Sequence, residues 1–102
     1  MMTVLVRYRV REELAAVNEA LIRAVFDQLR QVTPAGLQYR AYKLADGCSF
    51  VHWAQIDTAD GSNPLVSLEA FRLFQRGLHD RCSELPVSAN LVPLDSYVAS
   101  VV

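Results

Sequence analysis

The period of apolar and polar positions changes along this chain, and each change marks an element. Thr3–Val10 alternates, with Val4, Val6, Tyr8 and Val10 on one side and Leu5, Arg7 and Arg9 on the other, as a half-buried strand does. From Glu12 to Val32 the apolar residues Leu14, Val17, Leu21, Val25, Leu29 and Val32 recur at steps of three and four, which predicts a helix. Glu12 and Glu13 suit its positive end, and Thr33, Pro34 and Gly36 stop it. Alternation returns over Leu37–Ala45 and Cys48–Asp57. A second helix is predicted over Leu65–Leu85, with the stripe Leu68, Phe71, Phe74, Leu78, Cys82 and Leu85. Asn63 and Pro64 cap and start it, and Pro86 ends it. Asn90–Ala99 reads as a last strand, with Pro93 at an edge or bulge. This β-α-β-β-α-β order predicts an α+β fold: a four-stranded antiparallel sheet with two helices on one face and the other face bare.

Asp46–Gly47 is the strongest local signal. It suits a two-residue type I′ hairpin turn and so sets a register. In that register Lys43 opposes Phe50, Ala41 opposes His52, and Tyr39 opposes Ala54. Leu37, Tyr39, Ala41, Phe50, His52, Ala54 and Ile56 then lie under the helices. Gln38, Arg40, Tyr42, Val51, Trp53 and Gln55 fall on the bare face. A slip of one residue would exchange the two sets.

The length of 102 residues fits a single domain over 1–102 with one modest core. Hydrophobic residues make up 52% of the chain, a small excess that leans toward apolar surface buried beyond a monomer's own core. Ten basic residues against 11 acidic ones, with no basic block, argue against nucleic acid and anionic membrane as partners. No apolar run is long enough for a membrane span or a signal peptide. Cys48 and Cys82 form neither a CxxC pair nor a metal spacing, and a reduced, cytoplasmic protein is the simplest reading.

TVLVRYRV as strand 1, a helix running into TPAGLQYRAY, SFVHWAQID as strand 3 and SLEAFRLFQ opening helix 2 cover nearly the whole chain. In order and length they resemble the antibiotic biosynthesis monooxygenase-like group of the dimeric α/β-barrel superfamily. The resemblance implies a ferredoxin-like subunit that pairs sheet to sheet as a homodimer. It implies a small-molecule site between helices and sheet, and oxidation of phenolic or quinol-type substrates with no cofactor. It points away from the haem-degrading branch. Strand 1 has no Asn, Trp53 faces the opposite side from that branch's Trp, and His79 falls one step off the buried stripe of helix 2.

His52 is the candidate for proton chemistry, because its ordinary pKa lies near 6.5 and it sits mid-strand on the helix-facing side. It would act as a base or orient one, with Tyr39 or Tyr8 holding a substrate oxygen. Phe50, Ile56, Phe71 and Phe74 complete a candidate pocket for a small apolar or aromatic molecule. The plainer reading, a core histidine bonded to a tyrosine, stays open beside it. Leu5, Arg7, Arg40, Tyr42, Val51 and Trp53 form the candidate dimer interface; an anion site for Arg7, Arg9 and Arg40 is the alternative. Arg72, Arg76 and Arg81 read as a solvated helix face. Two functions remain: a cofactor-independent monooxygenase acting on phenols or quinols, or a non-catalytic binding or structural homodimer.

Overall fold

The computed structural model describes residues 1–101. Strand β1 (Met2–Val10) leads through a 3-10 turn at Glu12–Leu14 into helix α1 (Ala15–Val32). Strands β2 (Leu37–Lys43) and β3 (Ser49–Ile56) form a hairpin. A 3-10 turn at Pro64–Ser67, helix α2 (Glu69–Arg76), the short helix α3 (Leu78–Arg81) and strand β4 (Cys82–Leu91) complete the chain. The sheet is antiparallel with order β2-β3-β1-β4. This is the predicted ferredoxin-like arrangement.

The hairpin register is the predicted one: Lys43 opposes Phe50, Ala41 opposes His52 and Leu37 opposes Ile56. Its turn is not type I′. Only Gly47 takes a positive φ, at 77°, and Gly47 N–H donates to the Leu44 carbonyl at 3.0 Å. Asp46 keeps a negative φ, which a type I′ turn forbids. Its carboxylate instead accepts from the N–H groups of Cys48 and Ser49 and from the Ser49 hydroxyl, which hold its pKa down at about 2. The turn is thus closed by a side chain, and the face assignment survives.

The C-terminal half departs further from the pattern. Periodicity predicts a second helix running to Leu85, but the helix breaks at Gly77 and the chain becomes strand at Cys82. Strand β4 therefore precedes the expected Asn90–Ala99, and Pro93 lies beyond it. Strand β4 pairs the outer edge of β1 from Thr3 to Val10 and so satisfies its N–H and C=O groups. Pro86 sits where the β1·β4 register shifts between Arg7 and Arg9, a bulge on an edge strand that needs no N–H from proline. Leu85, expected in the helix stripe, is consequently exposed.

The core lies between the sheet and the helices. Tyr8, Val10, Phe50, Leu68, Phe71, Phe74 and Leu78 are buried there with Ile22 and Val25. On α1 the buried line passes through Asn18, Ile22 and Val25, so Val17 and Val32 are about half exposed instead of packed. No helix among the described residues is long and apolar enough to cross a membrane.

Candidate functional site

Period-two geometry on β1, β2 and β3 brings Tyr8, Tyr39 and His52 to the helix-facing side of the sheet. Val6 opposes His52 across one ladder and Ala41 opposes it across the other. The tyrosines are therefore diagonal neighbours of the imidazole, one on each adjacent strand. The Tyr39 hydroxyl lies 2.5 Å from His52 Nδ1, and the Tyr8 hydroxyl lies 2.8 Å from His52 Nε2. Both ring nitrogens are occupied. His52 is 6% exposed, and burial pushes its pKa down to about 4. Burial likewise raises the pKa values of Tyr8 and Tyr39, although the Asn18 amide and Arg81 offset part of the rise at Tyr8. At neutral pH all three rings are uncharged.

The cluster continues away from the sheet. Asn18 on α1 donates from Nδ2 to the Tyr8 hydroxyl at 2.9 Å. Arg81 on α3 donates from Nε to Asn18 Oδ1 at 3.1 Å and from a terminal nitrogen to the Phe74 carbonyl at 2.7 Å. Its guanidinium lies over the Phe74 ring, 5.4 Å from the centroid. The break at Gly77 makes room for it, since a Cβ there would stand 3.1 Å from the guanidinium. Arg81 is 8% exposed, which corrects its placement on a solvated face. Asn18 is fully buried. Both escape the sequence pattern. A polar residue on an amphipathic helix reads as surface, and Arg81 falls in sequence on a helix that in fact ends there. Asn18 does carry one signal: it sits four residues before Ile22 on what becomes the buried line.

A cavity of about 410 Å³ opens against this cluster. Tyr8, Tyr39, His52, Ile56, Phe71 and Phe74 line it, together with Val4, Val6, Ala54, Leu65 and Leu78. Asn63, Gln75, His79, Pro86 and Ser88 supply its polar and rim positions. Of the predicted pocket residues, Phe50 alone is elsewhere: it is stacked beneath Tyr8, centroid to centroid 5.6 Å, and lines a separate groove of about 470 Å³ along α1. His79, expected to be off the buried stripe, is exposed yet reaches the cavity rim. Asn63 accepts from Leu65 N–H as the predicted cap, but of a 3-10 turn. No cluster of three or more His, Cys, Asp or Glu side chains suited to a metal occurs among the described residues.

On the opposite side of the sheet, Leu5, Val51 and Trp53 are half-buried and Arg7, Arg40 and Tyr42 exposed. Arg40 stacks over Trp53 at 4.8 Å. Strand β4 adds Val87, Ala89 and Leu91 to this surface, because they pair with Arg7, Leu5 and Thr3.

Solved structures with this arrangement are numerous. A structure of Rv0793 from Mycobacterium tuberculosis superposes with a TM-score of 0.75 at 18% identity, over 95% of this chain and 98% of the other. A structure described as an antibiotic biosynthesis monooxygenase gives 0.75 at 14% identity, over 93% and 100%. The subunit has the antibiotic biosynthesis monooxygenase-like fold. A variant of SnoaB, a cofactor-independent oxygenase from Streptomyces nogalater, gives 0.68 at 13% identity, over 93% and 94%. No protein-family model matches the sequence, and no curated protein matches it. At these identities the likeness concerns the fold, and the chemistry rests on the side chains of this chain.

Proposed function

We propose that this protein is a small-molecule oxygenase of the cofactor-independent kind, acting on electron-rich phenols or quinols in the cavity beside His52. The observation that carries the reading is the hydrogen-bonded Tyr39–His52–Tyr8 cluster at the wall of an otherwise apolar cavity of about 410 Å³. A few convergent polar groups in an apolar pocket are what fixes the orientation of an aromatic ligand. Tyr39 holds the substrate oxygen and His52 orients Tyr39. The phenolic proton leaves to solvent, the hydrogen bond from Tyr39 offsets the burial that disfavours the anion, and the para carbon of the phenolate adds to dioxygen. A C–O bond forms, the O–O bond then breaks, and loss of the ring C–H leaves a second carbonyl. One oxygen atom ends in the quinone and the other in water. The cofactor-independent oxygenase with the same fold supports the chemistry by analogy.

The subunit pairs through its bare sheet face as a homodimer in this reading. Two free cysteines suit a reducing compartment such as the cytoplasm. Oxygen uptake with a panel of naphthols and hydroquinones tests the activity. Tyr39→Phe is expected to lower turnover roughly a hundred- to a thousandfold with the fold intact, the scale of losing one hydrogen bond to developing charge. The engagement of both His52 nitrogens by tyrosines favours a second reading, a binding protein without catalysis. Tight binding of these phenols with no oxygen uptake above background would establish that second reading.

A further inference from the structure

The chain from Arg81 to Tyr39 has a direction. Arginine only donates hydrogen bonds, so Asn18 must turn Oδ1 toward Arg81 and Nδ2 toward Tyr8. The Tyr8 oxygen therefore accepts a hydrogen bond from Asn18. The Tyr8 hydroxyl proton is left with His52 Nε2, its other hydrogen-bond partner. Tyr8 is 2% exposed, so no solvent acceptor replaces it. A neutral imidazole that accepts at Nε2 carries its proton on Nδ1. That N–H donates to the Tyr39 oxygen, 2.5 Å away. Tyr39, half-buried on the cavity wall, is left with a hydroxyl proton to give.

We infer that Arg81 and Asn18 set the polarity of this chain, so that Tyr39 presents a hydrogen-bond donor to the cavity and the site takes aromatic ligands through an acceptor oxygen, a phenolate or a ring-conjugated carbonyl. The inference rests on the phenol-binding reading of the cavity and specifies which ionisation state that cavity selects. Arg81 and Asn18 are positioning residues: they lie behind Tyr8 and act through it. The other titratable groups nearby are His79 at the cavity rim and Cys82 beside Tyr8, and neither hydrogen-bonds Tyr39.

Asn18→Asp tests the direction, because a carboxylate cannot donate. The introduced carboxylate would accept from both Arg81 and Tyr8, and every proton in the chain would reverse. His52 would then carry its proton on Nε2, and Tyr39 would turn a lone pair to the cavity. The first measurement needs no ligand: long-range nitrogen–proton NMR of histidine-labelled protein reports which ring nitrogen is protonated. The wild type is expected to show the Nδ1–H form and Asn18→Asp the Nε2–H form. Arg81→Lys keeps an obligate donor beside Asn18 and should keep the Nδ1–H form. An Nε2–H wild type, or a folded Asn18→Asp with the wild-type tautomer, would overturn the proposal. If Asn18→Asp does not fold, the wild type and Arg81→Lys still decide the tautomer.

The second measurement uses 4-nitrophenol, whose phenolate is coloured. The wild type is expected to bind the phenolate about tenfold more tightly than the neutral phenol, lowering the pH at which the bound dye ionises. Tyr39→Phe should abolish that preference and Asn18→Asp should invert it. Equal affinity for both forms in the wild type overturns the ligand preference while leaving a phenol site in place. No binding of 4-nitrophenol at all, with the Nδ1–H tautomer present, refutes the phenol reading of the cavity and the ligand preference built on it.

Discussion

His52 is held neutral by burial, and that has a cost in acid. Its pKa is about 4 in the folded chain against an ordinary value near 6.5. Below pH 6.5 the unfolded chain takes up a proton that the folded chain refuses. Stability is therefore fully present above pH 6.5 and is lost as pH falls toward 4, by about 3 kcal/mol at most. Urea unfolding between pH 4 and 8 should show this decline in the wild type. His52→Gln should be less stable at pH 7, since the tyrosines lose their partner, but should lack the decline. Identical acid slopes in both proteins would mean that His52 is not the group responsible. At this scale the sequence is informative where the period is two. Tyr8, Tyr39 and His52 can be put on one face by counting residues from the hairpin. Asn18 and Arg81 cannot, because a buried polar side chain is distinguished from a surface one only by its partners, and these come from three separate elements.

Elements are legible wherever local chemistry and long-range pairing agree. Helix α1 and the β2–β3 hairpin follow from periodicity, and the register holds although the turn is of another type. The α2-to-β4 stretch is not legible, because its apolar spacing satisfies a helix while the open edge of β1 demands a strand. A helix end and a turn carry tests of local strain. Helix α1 ends on Thr33 at φ 46°, a left-handed conformation that a β-branched residue adopts only at a cost. Thr33→Gly should raise the denaturant midpoint, with a gain of about 1 kcal/mol. A loss of stability would show that the threonine side chain contributes more than its backbone costs. At the hairpin, Gly47 has φ 77° and open space around an added Cβ. Gly47→Val should therefore destabilise by about 1–2 kcal/mol through the backbone alone, and Gly47→Asn by less. Equal stability of the three proteins in thermal unfolding would remove the positive φ from the account of this turn.

The whole molecule is lopsided. One side of the sheet is covered by α1, α2 and α3, and the other carries the half-buried Leu5, Val51 and Trp53, with the Arg40 guanidinium stacked on Trp53. The displaced β4 enlarges that surface: Val87 is 70% exposed and Leu91 is 37% exposed. The segment after β4 leaves Leu94, Tyr97 and Val98 almost wholly in solvent. Sheet-to-sheet pairing of two copies would bury the bare sheet face, and roughly 800 Å² per partner would make an ordinary stable interface. Arg7 and Arg40 do not oppose this, since a guanidinium stacked on an aromatic ring keeps part of its stabilisation when water is removed. Trp53→Asp places a carboxylate at the centre of the surface and leaves the helix-facing site untouched. Sedimentation at micromolar concentration should find the wild type as a dimer and Trp53→Asp shifted toward monomer, with an unchanged circular dichroism spectrum. A wild type that sediments as a monomer at that concentration would refute the pairing and leave this surface to some other partner.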